Sequence, residues 1–225
     1  MVDYKDYMIE KTSKKKENIE WSISYSYNSR DEESPRVLLI GDSICNGYQP
    51  FVRENLREYA NVTYWVSSKC VTDPLYLREL DFYLDAFRYD MVFFNNGAHS
   101  GDKHPEEREP AFANTIDFIM AKLPGIPLVL VNCTPGGTTE LTEKFGKFNE
   151  FTAKVAAEKN LHIIDLFTPM EATDKKVTMR DEYHWTPEYS AIQAKFISDY
   201  VMENLKLSGG LTQQGSATGP SGAIK

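Results

Sequence analysis

The feature that most limits what this chain can become is an alternation. Five short apolar runs stand out: RVLLIG at 36–41, VTYWV at 62–66, YDMVFFN at 89–95, IPLVLVN at 126–132 and LHIID at 161–165. Longer segments with helical spacing separate them. Apolar runs of this kind predict strands covered on both faces, and strands that alternate with helices predict a parallel sheet. Pro50 is expected to open a first helix carrying Phe51, Leu56 and Tyr59, and Leu75 to Phe87 forms a second. Phe112, Ile116, Ile119, Met120 and Leu123 mark one face of a third, and Phe145, Phe148 and Val155 suggest a fourth. Pro187 stands near the first turn of a last helix bearing Ile192, Phe196, Tyr200 and Leu205. The expectation is a single three-layer α/β/α domain over 36–207, built on a five-stranded parallel sheet.

The ends read differently. Residues 1–35 form a polar extension with one patterned island, IEWSISYSYN, in which Ile19, Trp21, Ile23, Tyr25 and Tyr27 alternate with polar residues. A period of two predicts a strand over 19–27, placed as an edge strand or a small flap outside the main fold. The stretch 208–225, SGGLTQQGSATGPSGAIK, has no hydrophobic period and reads as a flexible tail.

Composition narrows the partners. The chain has 225 residues, 41% of them apolar, enough to bury a core without a staple. A net charge of −8 argues against nucleic acid, whose non-specific binding draws on clustered Lys and Arg. No apolar run is long enough for a membrane span. The opening MVDYKDYMIEKTSKKKEN lacks an apolar signal core, so the chain as given is expected to be cytoplasmic, or exported if a signal has been removed. Cys45, Cys70 and Cys133 are too scattered for a disulfide framework and read as small reduced core residues. His99 and His104, five apart with no carboxylate in register, are a weak metal signal, and neither metal nor cofactor is expected.

Open α/β sheets place ligands beyond the carboxyl ends of their strands. Gly41, Asp42, Ser43 and Ile44 follow the first run; Asn95, Asn96, Gly97, Ala98 and His99 follow the third; Asn132, Cys133 and Thr134 follow the fourth. Asp181 and His184 stand just before the last helix. A serine needs a base to become a nucleophile, and a histidine needs a carboxylate to fix its tautomer. Ser43, His184 and Asp181 supply that set. The backbone N–H of Ser43, where strand turns into helix, and an Asn side chain at the end of the third strand could hold a developing oxyanion. Asp42 is expected to hold its loop by hydrogen bonds. Tyr48, Tyr64, Trp65 and Trp185 could wall a site for a sugar ring or acyl group, with His99 lining the cleft.

GDSI after the first strand, FNNGAH after the third and DEYHWT near the C-terminus occur in the order of the blocks that mark the SGNH/GDSL hydrolases, which the chain resembles over 36–205. That resemblance implies a flavodoxin-like scaffold and a serine esterase with Ser43 as nucleophile, Asp181 and His184 as its partners, and Asn95, with Asn96 close behind, as oxyanion donor. The family's second-block glycine has no counterpart in VSSKCVTDP, so the amide of Ser68, Lys69 or Cys70 would serve. The branch most similar acts on carbohydrate or small-acyl esters, which points to an acetyl ester, with the protein a monomer or homodimer. An acyltransferase using the same triad, or a binding module that keeps the fold without activity, are the other readings.

Overall fold

The structure, a computed structural model, describes residue 16, residues 18–99 and residues 105–205. The expected tail over 208–225 and His104 lie outside the described residues. In chain order the elements are β1 (Ser22–Ser26), β2 (Arg36–Gly41), α1 (Ser43–Leu56), β3 (Asn61–Ser67), α2 (Tyr76–Leu84), β4 (Met91–Phe94), α3 (Pro105–Lys122), β5 (Leu128–Val131), α4 (Thr139–Lys159), β6 (His162–Ile164), α5 (Phe167–Glu171), α6 (Lys175–Thr178) and α7 (Pro187–Asn204). All five apolar runs are strands. The sheet order is β1-β3-β2-β4-β5-β6.

Alternate residues of each central strand enter opposite cores. Leu38 and Ile40 of β2 pack with α2, α3 and α4, through Leu80, Ile116 and Phe148 among others. Val37 and Leu39 face the other way, onto Val52 of α1 and Ile197 of α7. Two apolar layers flanking one sheet make the three-layer architecture, as the unbroken hydrophobic strands require.

The expected five-stranded parallel sheet is corrected to six strands of mixed direction. β1 joins the main sheet rather than forming a separate flap, and it runs antiparallel to β3, with Ile23 opposite Val66 and Tyr25 opposite Tyr64. Its two faces explain why. Ser22 Oγ accepts from Trp65 Nε1 at 2.8 Å, and Ser24 Oγ donates to the Tyr83 hydroxyl at 2.9 Å. On the opposite face Tyr25, Tyr27 and Tyr64 stack, and the Arg53 guanidinium lies 4.6 Å from the Tyr27 ring centroid. Both faces therefore find partners on the domain.

The turn after β1 is tied down by one buried cation. Arg36, 3% exposed, donates to the carbonyls of Tyr27 and Asn28 at 2.8 Å each and to Thr63 Oγ1 at 3.2 Å, above the ring of Phe87. Arg36→Met would keep most of the stem and remove every one of those donors. Two carbonyls bound by a charged group would lose it, so urea unfolding is expected to report a loss of about 2–3 kcal/mol. An unchanged midpoint would mean that the turn does not depend on this side chain.

Two helices depart from their expected form. The first begins at Ser43, not at Pro50, because Asp42 caps it by accepting from the Ile44 N–H at 2.9 Å. Pro50 lies inside the helix, which therefore goes without one backbone bond there. The last helix, α7, starts at Pro187 as expected, but Ile192 and Phe196 are on its exposed side. It buries Ser190, Gln193, Ala194, Ile197, Ser198 and Val201 instead. Close approach to α1 selects those smaller side chains: a Cβ added at Gly47 would stand 3.3 Å from Ser190 Oγ, and Asn55 Nδ2 donates to Ser198 Oγ at 3.2 Å.

Candidate active site

Five parallel strands, β2 to β6, deliver their carboxyl ends to one edge, and the residues singled out in the sequence gather there. Ser43 is the first residue of α1, directly after the Asp42 cap. Asp42 is buried and braces two loops: its Oδ1 takes the Ile44 N–H, and its Oδ2 takes the Ala98 N–H at 3.4 Å. Ser43 is thus fixed at a helix N-terminus, where free backbone N–H groups and the helix dipole favour negative charge.

Asp181 and His184 form their pair within one short loop. The Asp181 carboxylate accepts from the backbone N–H of Tyr183 and of His184, each at 2.9 Å, and meets His184 Nδ1 at 2.8 Å. Burial alone would raise this carboxyl, but the bonds from Tyr183, the imidazole and the His184 N–H outweigh it and bring its pKa down to about 2. With Nδ1 engaged, Nε2 is the nitrogen left for a nucleophile. The loop is closed at its base by Arg180 N–H donating to the His184 carbonyl at 2.8 Å and by a bridge between Met179 and Trp185.

Two anchors hold that loop against the end of β5. The Gly137 N–H donates to the Glu182 carbonyl at 2.8 Å, and a Cβ at Gly137 would fall 2.9 Å from the Glu182 Cα, so only glycine permits this approach. The Trp185 indole donates to Thr134 Oγ1 at 3.0 Å. Trp185, expected in the substrate wall, is 2% exposed and serves as this peg. Tyr64 and Trp65 are likewise buried in the cores.

A small cavity lies where these pieces converge. It is lined by Ile44 and Cys45 beyond Ser43, by Asn95 and Ala98 after β4, by Cys133 and Phe145, and by Tyr183 beside His184. Tyr48, also expected at the wall, lines its interior and is otherwise buried. Ser43 and His184 are flanked by these lining residues. Among the described residues no hydrogen bond joins the two. Catalytic contacts in unliganded enzymes often close only when substrate binds.

The two asparagines have separate tasks. Asn96 is fully buried; its Oδ1 accepts from the Val71 N–H at 3.0 Å and its Nδ2 donates to the Lys69 carbonyl at 2.9 Å. Its Oδ1 and one amide N–H are used on the loop after β3, and the residue does not line the cavity, contrary to the expectation of a second oxyanion donor there. Asn95 does line the cavity, with its amide donating to the Val131 carbonyl and lying 3.9 Å from Cys133 Sγ. In the loop after β3 the Ser68 N–H goes to the Trp21 carbonyl and the Lys69 N–H to Ser67 Oγ. The Val71 N–H goes to Asn96. Cys70 is the residue of that run whose N–H has no acceptor among the described residues.

Cys45, Cys70 and Cys133 are free and buried. Burial pushes the thiols of Cys45 and Cys133 up to about 12, so neither is a nucleophile at neutral pH. Among the described residues no group of three His, Cys, Asp or Glu could hold a metal ion, and no helix is long and apolar enough to cross a membrane.

One participant escaped the sequence reading. Because β1 is antiparallel, its first end, not its last, reaches the ligand-bearing edge. Trp21 lies there, half-buried, with its N–H on Ser68 Oγ at 2.9 Å and its ring edge-on to His99, centroids 5.9 Å apart. The signal was available: an odd-position apolar strand ahead of a parallel sheet brings its start to that edge if it pairs antiparallel.

Neither a protein-family model nor a curated protein sequence matches the chain. Solved structures do. The lipase/acylhydrolase from Enterococcus faecalis aligns at a TM-score of 0.61 and 15% identity, over 78% of this chain and 99% of its own. The acetylxylan esterase from Geobacillus stearothermophilus gives 0.62 and 16%, over 77% and 96%. A member of the lipolytic G-D-S-L family from Veillonella parvula gives 0.60 and 17%, over 76% and 98%. The chain has the SGNH/GDSL hydrolase fold.

Proposed function

We propose that this chain is a serine esterase that removes a short acyl group, an acetyl above all, from a saccharide. The observation that carries the reading is the Asp181–His184 pair, bonded at 2.8 Å on a loop pinned to the same sheet edge from which Ser43 emerges. Fold likeness to esterases, acetylxylan esterase among them, supports the substrate class.

In the reaction Ser43 Oγ attacks the ester carbonyl carbon while His184 Nε2 takes the hydroxyl proton. Asp181, bonded to Nδ1, fixes the tautomer and stabilises the imidazolium. The oxygen that becomes negative is met by the N–H groups of Ser43 and Cys70, and Asn95, its amide held on the Val131 carbonyl, borders the cavity beside them. Collapse of the tetrahedral intermediate expels the alcohol, which receives the proton from Nε2. Water then repeats the sequence on the acyl-enzyme and releases the acid. The small cavity, walled by Ile44, Ala98 and Phe145, suits an acetyl group better than a long chain.

The test is turnover of p-nitrophenyl acetate, butyrate and octanoate between pH 4 and 9. Acetate is expected to be fastest. The pH profile follows from Asp181: its carboxyl is lowered from an ordinary 3.8 to about 2, so it is charged throughout pH 4 to 9, and what its ionisation contributes is lost as the pH falls from 3.8 through about 2. The kcat/KM profile should therefore show no ionisation of Asp181 near pH 4. An ionisation near pH 4 would remove Asp181 from its role, and absence of turnover above background on all three esters would remove the esterase reading itself.

A further inference from the structure

Trp21 immediately precedes β1, and His99 follows the end of β4 by five residues. β1 and β4 are separated by β3 and β2, three steps that put the strand backbones about 14 Å apart. Yet the two rings meet at 5.9 Å, edge to face. The residues before β1 and after β4 therefore approach each other across the ends of β3 and β2. The register says what lies beneath. Ser22 is opposite Ser67, so Trp21 is level with Ser68; Val66 is opposite Gly41, so Ser68 is level with Ser43. The pair arches over the turn that carries the candidate nucleophile and the loop that carries Cys70.

From this we infer that Trp21 is a specificity-determining residue: with His99 it forms the wall against which the alcohol part of the ester, a neutral sugar ring, is held. The inference rests on the esterase reading for its chemistry and goes beyond it in naming the subsite. Ser43 and the cavity behind it account for the acyl side. Neither Trp21 nor His99 lines that cavity, so in this reading the leaving alcohol lies on their side of Ser43. The surface of the arch offers the broad apolar face of a half-buried indole, braced edge to face by the imidazole. A pyranose matches it, with the C–H groups of one face laid on the ring and the hydroxyls around its rim left in water. A net charge of −8 disfavours an acidic saccharide.

Trp21 is also poised to report on its own ligand. The chain has three tryptophans, and Trp65 and Trp185 are 0% and 2% exposed, so emission changes on ligand binding arise chiefly from Trp21. Its place is fixed without its ring, since its N–H and carbonyl are bonded to Ser68 and the strand that follows is paired along its length.

The experiment titrates the full chain with xylotriose, following tryptophan emission and, for the variants, calorimetry. Turnover of p-nitrophenyl acetate and of acetylated xylotriose is measured in parallel. Wild type should show a saturable emission change. Trp21→Ala should weaken xylotriose binding about tenfold, and Trp21→Phe, which keeps an aromatic face, should recover most of it. On the acetylated sugar the Ala variant should lose at least about ten times more kcat/KM than on the aryl ester, with the loss in KM rather than kcat. Equal losses on the two esters, or xylotriose binding indifferent to residue 21, would overturn the inference. Failure of the esterase reading looks different: wild type then binds xylotriose through Trp21 but cleaves neither ester.

Discussion

Ser43→Ala is expected to lower kcat on p-nitrophenyl acetate by about 10⁶-fold, to the level left by binding and the oxyanion donors alone. The size follows from the way the parts depend on one another. Without the hydroxyl, His184 has no proton to take and Asp181 no imidazolium to stabilise. Ser43→Ala combined with His184→Ala should therefore be no worse than either alone. The variant should remain folded, because the cap of α1 is the Asp42 side chain and the Ser43 hydroxyl makes no hydrogen bond among the described residues. A fluorophosphonate probe should label wild type and leave Ser43→Ala unlabelled. Equal turnover or equal labelling by the two proteins would mean that the chemistry lies elsewhere.

Asn96→Leu should show the second-largest effect, and in two readouts at once. The substitution keeps the volume but leaves the Val71 N–H and the Lys69 carbonyl without their partner in a fully buried setting. Orphaned groups of that kind cost about 1–3 kcal/mol each, so a stability loss of about 3 kcal/mol is expected by urea unfolding. The loop they hold also presents Cys70. Once it is released the oxyanion loses a preorganised donor, with kcat expected to fall by about 10²- to 10³-fold. The combination discriminates between two roles for this residue. An asparagine that touched the oxyanion directly would lower kcat with stability nearly unchanged. A clamp on the loop lowers both, and stability unchanged in Asn96→Leu would refute the clamp.

The sequence made the central sheet legible because buried parallel strands leave an unmistakable apolar mark, and each of the five runs coincides with a strand to within two residues at either end. The reading strayed where two local signals competed. At α1, the proline looked like a helix start, whereas the Asp42 cap eight residues upstream decided where the helix began. At α7, hydrophobicity pointed to Ile192 and Phe196, but the face turned to α1 is the one with Ser190, Ala194, Ile197, Ser198 and Val201, where small residues permit the close approach at Gly47, so packing distance overrode apolarity. Strand direction is not written in a period of two, and so Trp21 was read as part of an edge when it stands at the mouth. Ser43, Asp181 and His184 could be placed at one edge from their positions after strands and before a helix. The choice between Asn95 and Asn96 depends on which of them borders the cavity, and that among Ser68, Lys69 and Cys70 on which N–H groups are already engaged. That is a property of the folded hydrogen-bond network.

The direction of β1 has a practical side. The chain enters the fold at Lys16 to Trp21, beside the mouth, where Lys16 Nζ reaches Asp73 at 3.5 Å. It leaves along α7, whose first turn follows His184 and whose 18 residues carry it about 27 Å away. The described chain thus has its two doors at opposite poles. A reporter, bead or surface attached beyond Leu205 would leave the cleft facing open solution, while the same cargo joined ahead of Lys16 would stand on the threshold.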